Sequence, residues 1–198
     1  MHRIPTDKGP EGSSRDQFGN IAGSDWPETG HPCSIRQVVF TTNDIPGFLR
    51  RLRTISADFG SHIILFDKEM MAGRSHVNIA LSHAFRAAGS NTCISSSVEI
   101  EALLYAAGSR QVIDGTRFGI HEGVNLAYLC LCPDNKEAWN ILSHDMKETS
   151  DEWERIDAIK RSRLMSIFNI TPEELRVAGE DRLKDLVMER VALLDAYK

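Results

Sequence analysis

The residues best suited to chemistry lie in the short polar stretch "GSRQ", which follows the apolar run "EALLYAA". Gly108 can end one helix and Ser109 can cap the next, which would run on through Arg110 and Gln111. A helix N-terminus with free backbone N–H groups, beside a hydroxyl and a guanidinium, can bind an anion. The same residues could instead solvate a tight corner between two helices, and taken alone they favour that structural interpretation.

A second polar cluster, Lys68, Arg74 and His76, lies in "DKEMMAGRSH", directly before another predicted helix. Two basic helix entrances in one small domain could converge on the end of a phosphodiester chain. Aromatic side chains that would stack on single-stranded bases are sparse, and Tyr105 is the nearest one in sequence.

Other kinds of chemistry find little support. The sequence contains no GxGxxG, GxxxxGK[ST], GxSxG or HExxH motif. His76 and His83 would share one helix face about 10 Å apart, too far for one metal ion, so we predict exposed or partner-facing histidines. The run Ser95–Ser97 suits a helix cap better than a nucleophile. We therefore predict no catalytic residue, no metal and no cofactor, which favours a binding protein over an enzyme with an unrecognised active site.

Composition limits the remaining possibilities. A chain of 198 residues that is 41% hydrophobic can bury one main core. Its net charge of −5 argues against indiscriminate coating of nucleic acid, and thus against a free-standing RNA-binding protein, but leaves room for a local basic patch. No run approaches the roughly 20 apolar residues of a membrane-spanning helix, and the first residues lack the apolar core of a signal peptide.

The four cysteines, Cys33, Cys93, Cys130 and Cys132, form no CxxC motif. Cys130 and Cys132 would lie on the same face of a strand, where small buried thiols are the expected state. Free thiols fit a reducing compartment, so we predict a cytoplasmic protein.

The pattern along the chain divides it into three zones. Residues 1–33 are rich in Pro, Gly, Ser and Asp and predict a disordered leader. Residues 34–132 predict an α/β core domain with strands "IRQVVF", "HIILF" and a central "VNLAYLCL". Its helices would begin at Asn43 or Asp44, end at Gly89, and begin again at a capping box of Ser96 and Glu99.

Residues 133–198 predict a helical segment packed on that core, with no convincing strand. We expect helices near 135–147 and 151–168, a T-P-x-E start at Thr171, and a last helix after Gly179. The predicted fold is thus α/β, with a small mixed, largely antiparallel sheet covered by helices and a helical C-terminal segment.

Three stretches carry a resemblance to a known family: "ILFDKEMMAGRSHVNIALSHAFRA", "SSSVEIEALLYAAGSRQV" and "NITPEELRVAGEDRLKDLVMERVALLD". Over residues 35–195 the sequence closely resembles the kinase-binding subunit of the KEOPS (EKC) complex, an archaeal and eukaryotic family that includes the PRPK-binding protein. The resemblance implies a non-catalytic accessory subunit. It would bind the atypical small kinase/ATPase subunit and recruit tRNA through the 3′ CCA end, for threonylcarbamoyl modification of the adenosine beside the anticodon. The threonylcarbamoyl transferase subunit and the small dimerising subunit would be indirect partners.

Carried over residue by residue, the resemblance implies a tRNA 3′-end site made of Arg74, His76, Ser109, Arg110 and Gln111. For kinase binding we predict the last helix, through Leu186, Arg190, Leu193 and Leu194. That helix has an apolar stripe typical of a core, but Leu193 and Tyr197 lie off the stripe and add apolar surface. The alternative is a purely protein-binding scaffold, or a regulator of the kinase, without RNA contact.

Overall fold

The computed structural model describes residues 33–196, so the predicted leader lies outside the described residues except for Cys33. The elements follow in the order β1 (Ser34–Thr42), α1 (Ile45–Phe59), β2 (His62–Asp67), α2 (Arg74–Gly89), α3 (Val98–Ala107), α4 (Val112–Thr116), β3 (Gly123–Cys132), α5 (Lys136–Leu142), β4 (Lys147–Thr149), α6 (Ala158–Ile167), α7 (Pro172–Ala178) and α8 (Leu183–Ala196). The predicted α/β class is confirmed.

The four strands form one antiparallel sheet in the order β2-β3-β1-β4. The prediction of a central "VNLAYLCL" strand is confirmed, because β3 pairs with β2 on one side and with β1 on the other. The prediction of no strand after Pro133 is wrong, since β4 pairs with β1 at the sheet edge. Three residues, Lys-Glu-Thr, carry no apolar alternation, and tertiary pairing with β1 makes them a strand.

Helices cover both faces of the sheet. One face packs against α2, α3 and the C-terminal helices, in a cluster that includes Tyr128 and Cys130 of β3 and Val187 of α8. The other face packs against α1 and α5, through Leu129 and Leu131 of the same strand. Successive β3 side chains therefore enter opposite clusters, as the two-residue period of a strand requires.

Local capping chemistry determines where several helices begin. Asp44 accepts a hydrogen bond from the Gly47 N–H, and Thr171 accepts one from the Glu174 N–H, both as predicted. Ser97, not Ser96, caps α3 by accepting from the Ile100 N–H. Helix α2 runs to Gly89, and its C-cap is Ser90 instead of the predicted Gly89. Helices α5 and α6 are shorter than the predicted ranges.

Cys33 and Cys132 form a disulfide, which corrects the prediction that Cys132 is a buried thiol. The two residues face each other just beyond the pair Ser34 and Leu131 at the end of the β1–β3 ladder. Cys130 is a buried free thiol as predicted, and burial raises its pKa. Within residues 33–196, no helix is long and apolar enough to cross a membrane.

Candidate functional site

The "GSRQ" stretch is a corner that follows α3. Gly108 adopts a left-handed conformation, φ 58°, and the Ser109 N–H donates to the Leu104 carbonyl at 3.1 Å, so the helix closes with its last carbonyls satisfied. A β-carbon at Gly108 would lie 3.5 Å from the Arg190 carbonyl oxygen and 3.6 Å from the Phe168 ring. These are ordinary contact distances, so the positive φ, and not a lack of space, is what favours glycine at this corner.

Ser109 fixes the shape of this corner. Its hydroxyl donates to the Asp114 carboxylate at 2.7 Å and accepts from the Gln111 N–H at 3.2 Å. The predicted role of Ser109 as the N-cap of a helix running through Arg110 is wrong, because α4 begins only at Val112 and Gln111 is its N-cap. Helix α4 has five residues, too few for a strong helix dipole. The helix N-terminus at Ser109, which the sequence allowed as an anion site, is thus not formed.

Arg110 and Gln111 are exposed at the tip of the corner. The next two side chains are apolar and also exposed, Val112 by 52% and Ile113 by 69%. The corner therefore presents a guanidinium and a primary amide directly beside an apolar surface. Sequence reasoning missed Val112 and Ile113, because an aliphatic pair in a helix is normally assigned to a core.

Arg74, the other arginine of the predicted site, makes its hydrogen bonds within the protein. Its guanidinium donates to the Ile35 carbonyl of β1 at 2.7 Å, and its backbone N–H donates to the Glu154 carboxylate at 2.7 Å. Both groups are engaged within the protein, in contrast to the exposed Arg110 and Gln111.

His76 is only 1% exposed, which corrects the prediction of an exposed or partner-facing histidine. Its Nδ1 accepts from the Ala72 N–H at 3.1 Å, and its Nε2–H donates to the Ala106 carbonyl at 2.9 Å. The ring also contacts Phe118 and Phe168 edge-on. Burial lowers its pKa to about 4 against the opposing hydrogen bond to Ala106. The His76 side chain is therefore neutral, and its two hydrogen bonds connect the start of α2 to the end of α3.

His83 is buried as well and links three helices. Its Nδ1 lies 2.5 Å from the Asp195 carboxylate of α8, which also accepts from the Tyr105 hydroxyl of α3. His83 and His76 thus make separate structural contacts. Across residues 33–196, no group of three or more His, Cys, Asp or Glu side chains is arranged to hold a metal ion.

The comparison with protein families gives a decisive match. The family model described as kinase binding protein CGI-121 matches residues 43–195, most of the chain. The chain belongs to the CGI-121 family. CGI-121 proteins are kinase-binding subunits of KEOPS-like complexes. No curated protein matches the chain.

Within this CGI-121 chain, the four residues predicted to bind the kinase have different environments. Leu186 and Leu194 are buried in the main core cluster. Leu193 is half-buried, and the half-buried Arg190 pairs with Glu174 at 2.5 Å. Tyr197 lies outside the described residues. Two of the four side chains therefore hold α8 on its own protein, and the other two reach the surface.

Proposed function

We propose that this CGI-121 protein is a non-catalytic subunit that links the atypical kinase/ATPase of a KEOPS complex to the 3′ CCA end of tRNA. The observation that carries the RNA part is the exposure of Arg110 and Gln111 on a corner whose backbone is fixed by Ser109. Its place in the complex would bring tRNA to the subunit that adds threonylcarbamoyl to the adenosine beside the anticodon.

The chemistry of the corner suits an RNA end better than a duplex. An unpaired 3′ end offers unstacked bases, 2′-hydroxyls and phosphates within reach of a small surface. Arg110 can pair with a phosphate, and Gln111 can donate to or accept from a base edge. Val112 and Ile113 supply an apolar surface for one base face. This set differs from the sequence prediction, because it loses Arg74 and His76 as direct contacts and gains the aliphatic pair.

The acidic net charge is compatible with this function. With a charge of −5, the subunit alone would hold tRNA weakly and with few phosphate contacts. Weak contacts suffice inside an assembly, because other subunits that touch the same tRNA raise the effective concentration of its end. The transferase and the small dimerising subunit would act as such indirect partners.

For the kinase contact we propose the surface of α8 around Arg190 and Leu193. The buried Leu186 and Leu194 would act through positioning, since they fix the helix to the core. Removal of α8 would therefore unfold the core, whereas Leu193→Asp changes only a half-buried side chain. We expect Leu193→Asp to weaken kinase binding at least tenfold, measured by titration calorimetry with the purified kinase, with thermal stability nearly unchanged.

The RNA part is tested by anisotropy titration with a cognate tRNA and with the same tRNA lacking its CCA. We expect binding to the intact tRNA only, and about tenfold weaker binding with a shallower salt dependence for Arg110→Ala. Arg53→Ala is the matched control, because this exposed arginine lies on α1, across the sheet from the corner.

Equal affinity for both tRNAs, or no effect of Arg110→Ala, would contradict RNA-end binding at the corner. The second candidate, a kinase-binding scaffold without RNA contact, would then stand. It draws support from the internal use of Arg74 and His76 and from the apolar exposure of Val112 and Ile113, which equally suits a protein partner.

A further inference from the structure

Cationic side chains surround the start of α2. Three of them engage neighbouring carboxylates: Arg163 lies 3.0 Å from Glu69, Lys68 lies 3.7 Å from the same carboxylate, and Lys184 lies 2.8 Å from Glu154. Lys160 and Arg74 add two further positive charges. We call this group, with Glu154 and Gly73, the α2 entrance. Its five cations face the carboxylates of Glu69 and Glu154, and those of Asp67 and Asp157 also lie close to Arg163 and Lys160.

Lys160 is the unusual member of the α2 entrance. The residue is 3% exposed, and its Nζ makes no hydrogen bond to any residue between 33 and 196. Burial lowers the pKa of Lys160, and the charges of Glu69, Lys68, Glu154 and Lys184 also act on that pKa, so the ammonium lies among the charged groups of the α2 entrance. The buried Trp153 Nε1, whose ring lies 5.5 Å from the Lys68 Nζ, has no hydrogen-bond partner among the described residues either. A buried donor without an acceptor is costly, and an anion beside Lys160 would relieve that cost for its ammonium.

The side chain of Glu154 occupies the position at which an anion would bind. One carboxylate oxygen accepts from the Arg74 N–H at 2.7 Å, at the N-terminus of a 16-residue helix, and the other accepts from the Lys184 Nζ at 2.8 Å. A β-carbon at Gly73, φ 124°, would lie 2.4 Å from this carboxylate, so glycine is what allows the approach. Residues 150–157 form neither helix nor strand, and the Glu154 carboxylate is half-exposed. It can therefore leave without disrupting a regular element.

We propose that the α2 entrance binds a phosphate group, which replaces the Glu154 carboxylate at the Arg74 N–H and Lys184 and gives Lys160 its missing acceptor. Phosphate suits the site because it carries more charge and more acceptor oxygens than a carboxylate. The phosphate can belong to an RNA strand or to a free nucleotide, which share this chemistry.

The position of the α2 entrance is consistent with a phosphate that belongs to an RNA strand. Helix α8 carries Lys184 at the α2 entrance and Arg190 beside Gly108, and six residues of helix span on the order of 9 Å along the axis. One strand could contact both places. The phosphate site itself does not depend on RNA binding at the corner.

The test is calorimetric titration of the full chain with inorganic phosphate at low ionic strength. We expect measurable binding, at least threefold tighter for Glu154→Gln and at least tenfold weaker for Lys160→Met. Lys136→Met is the matched control, because this exposed lysine lies on α5, on the opposite side of the sheet, and should bind like the unmodified protein. Lys184→Gln, at a half-exposed position, should also weaken binding and covers the case in which Lys160→Met does not fold.

Absence of phosphate binding in both the unmodified protein and Glu154→Gln would overturn the proposal, as would unchanged affinity in Lys160→Met and Lys184→Gln. Two further titrations identify the source of the phosphate. Tighter binding of a short single-stranded RNA without CCA would assign it to RNA, and tighter binding of ATP would assign it to a nucleotide. Neither titration involves a CCA end or Arg110, so failure here is distinct from failure of the proposed function.

Discussion

At the start of α2, Arg74 and His76 bind backbone groups inside the protein, whereas at the corner after α3, Arg110 and Gln111 face solvent. Both places combine a glycine with a basic side chain beside a helix end, and they are joined by the His76–Ala106 hydrogen bond. The difference lies in whether the polar side chains bond to other groups of the protein or to solvent. Side chains satisfied by the protein itself should govern stability, and those left to solvent should govern binding.

We expect the largest effect on stability from His76, whose side chain binds backbone groups inside the protein. His76→Ala would remove a buried ring between Phe118 and Phe168 and would leave the Ala72 N–H and Ala106 carbonyl without their partner. We expect a loss of about 3–5 kcal/mol in the free energy of unfolding, measured by urea denaturation. The exposed His144→Ala is the control and should change stability by less than about 0.5 kcal/mol. A loss below about 1 kcal/mol in His76→Ala would show that the hydrogen bonds of His76 do not stabilise the contact between α2 and α3.

Acid should lower the free energy of unfolding through protonation of His76. The folded protein holds the pKa of His76 at about 4, and an unfolded histidine titrates near its usual 6.5, so protons bind the unfolded state first. The contribution of His76 to the free energy of unfolding is therefore fully present above pH 6.5. It falls as the pH drops from 6.5 towards 4, by about 3 kcal/mol in total. The measurement is urea denaturation between pH 7 and pH 5. His76→Gln, whose amide does not titrate, should lose most of that slope, and an unchanged slope would contradict the assignment.

We expect the smallest effects on stability at the corner after α3. Ser109→Ala removes the hydrogen bond to Asp114 and should lower the free energy of unfolding by about 1 kcal/mol. Arg110→Ala should change the free energy of unfolding by less than about 0.5 kcal/mol while still weakening tRNA binding. Urea denaturation of both variants beside the binding titration tests this. A loss above about 1 kcal/mol in Arg110→Ala would place Arg110 with the inward group and remove the contrast.

Features set by local chemistry were predictable from the sequence. Asp44 and Thr171 cap their helices through side chains that reach only three residues ahead. The central position of β3 follows from a strand that is apolar on both faces. The corner after α3 follows from a glycine placed after an apolar helix. For the caps and the corner, the decisive interaction lies within one or two turns of chain.

Features set by distant partners were not predictable. The burial of His76 depends on the Ala106 carbonyl and on Phe168, neither of which is near it in sequence. The disulfide joins cysteines 99 residues apart. Strand β4 exists because β1 has a free edge to offer it. Within the candidate site, the sequence identified the corner, but the inward direction of Arg74 required knowledge of the Ile35 carbonyl.

The register of β1 has a consequence for how the protein is made. Ser34 pairs with Leu131, and Val38 pairs with Glu148, so β1 has no neighbouring strand until much of the chain has left the ribosome. During that interval its apolar residues and unpaired backbone groups are accessible to other nascent chains. Such non-local pairing also slows folding. We therefore expect the yield of folded protein to depend on chaperones and on the rate of translation.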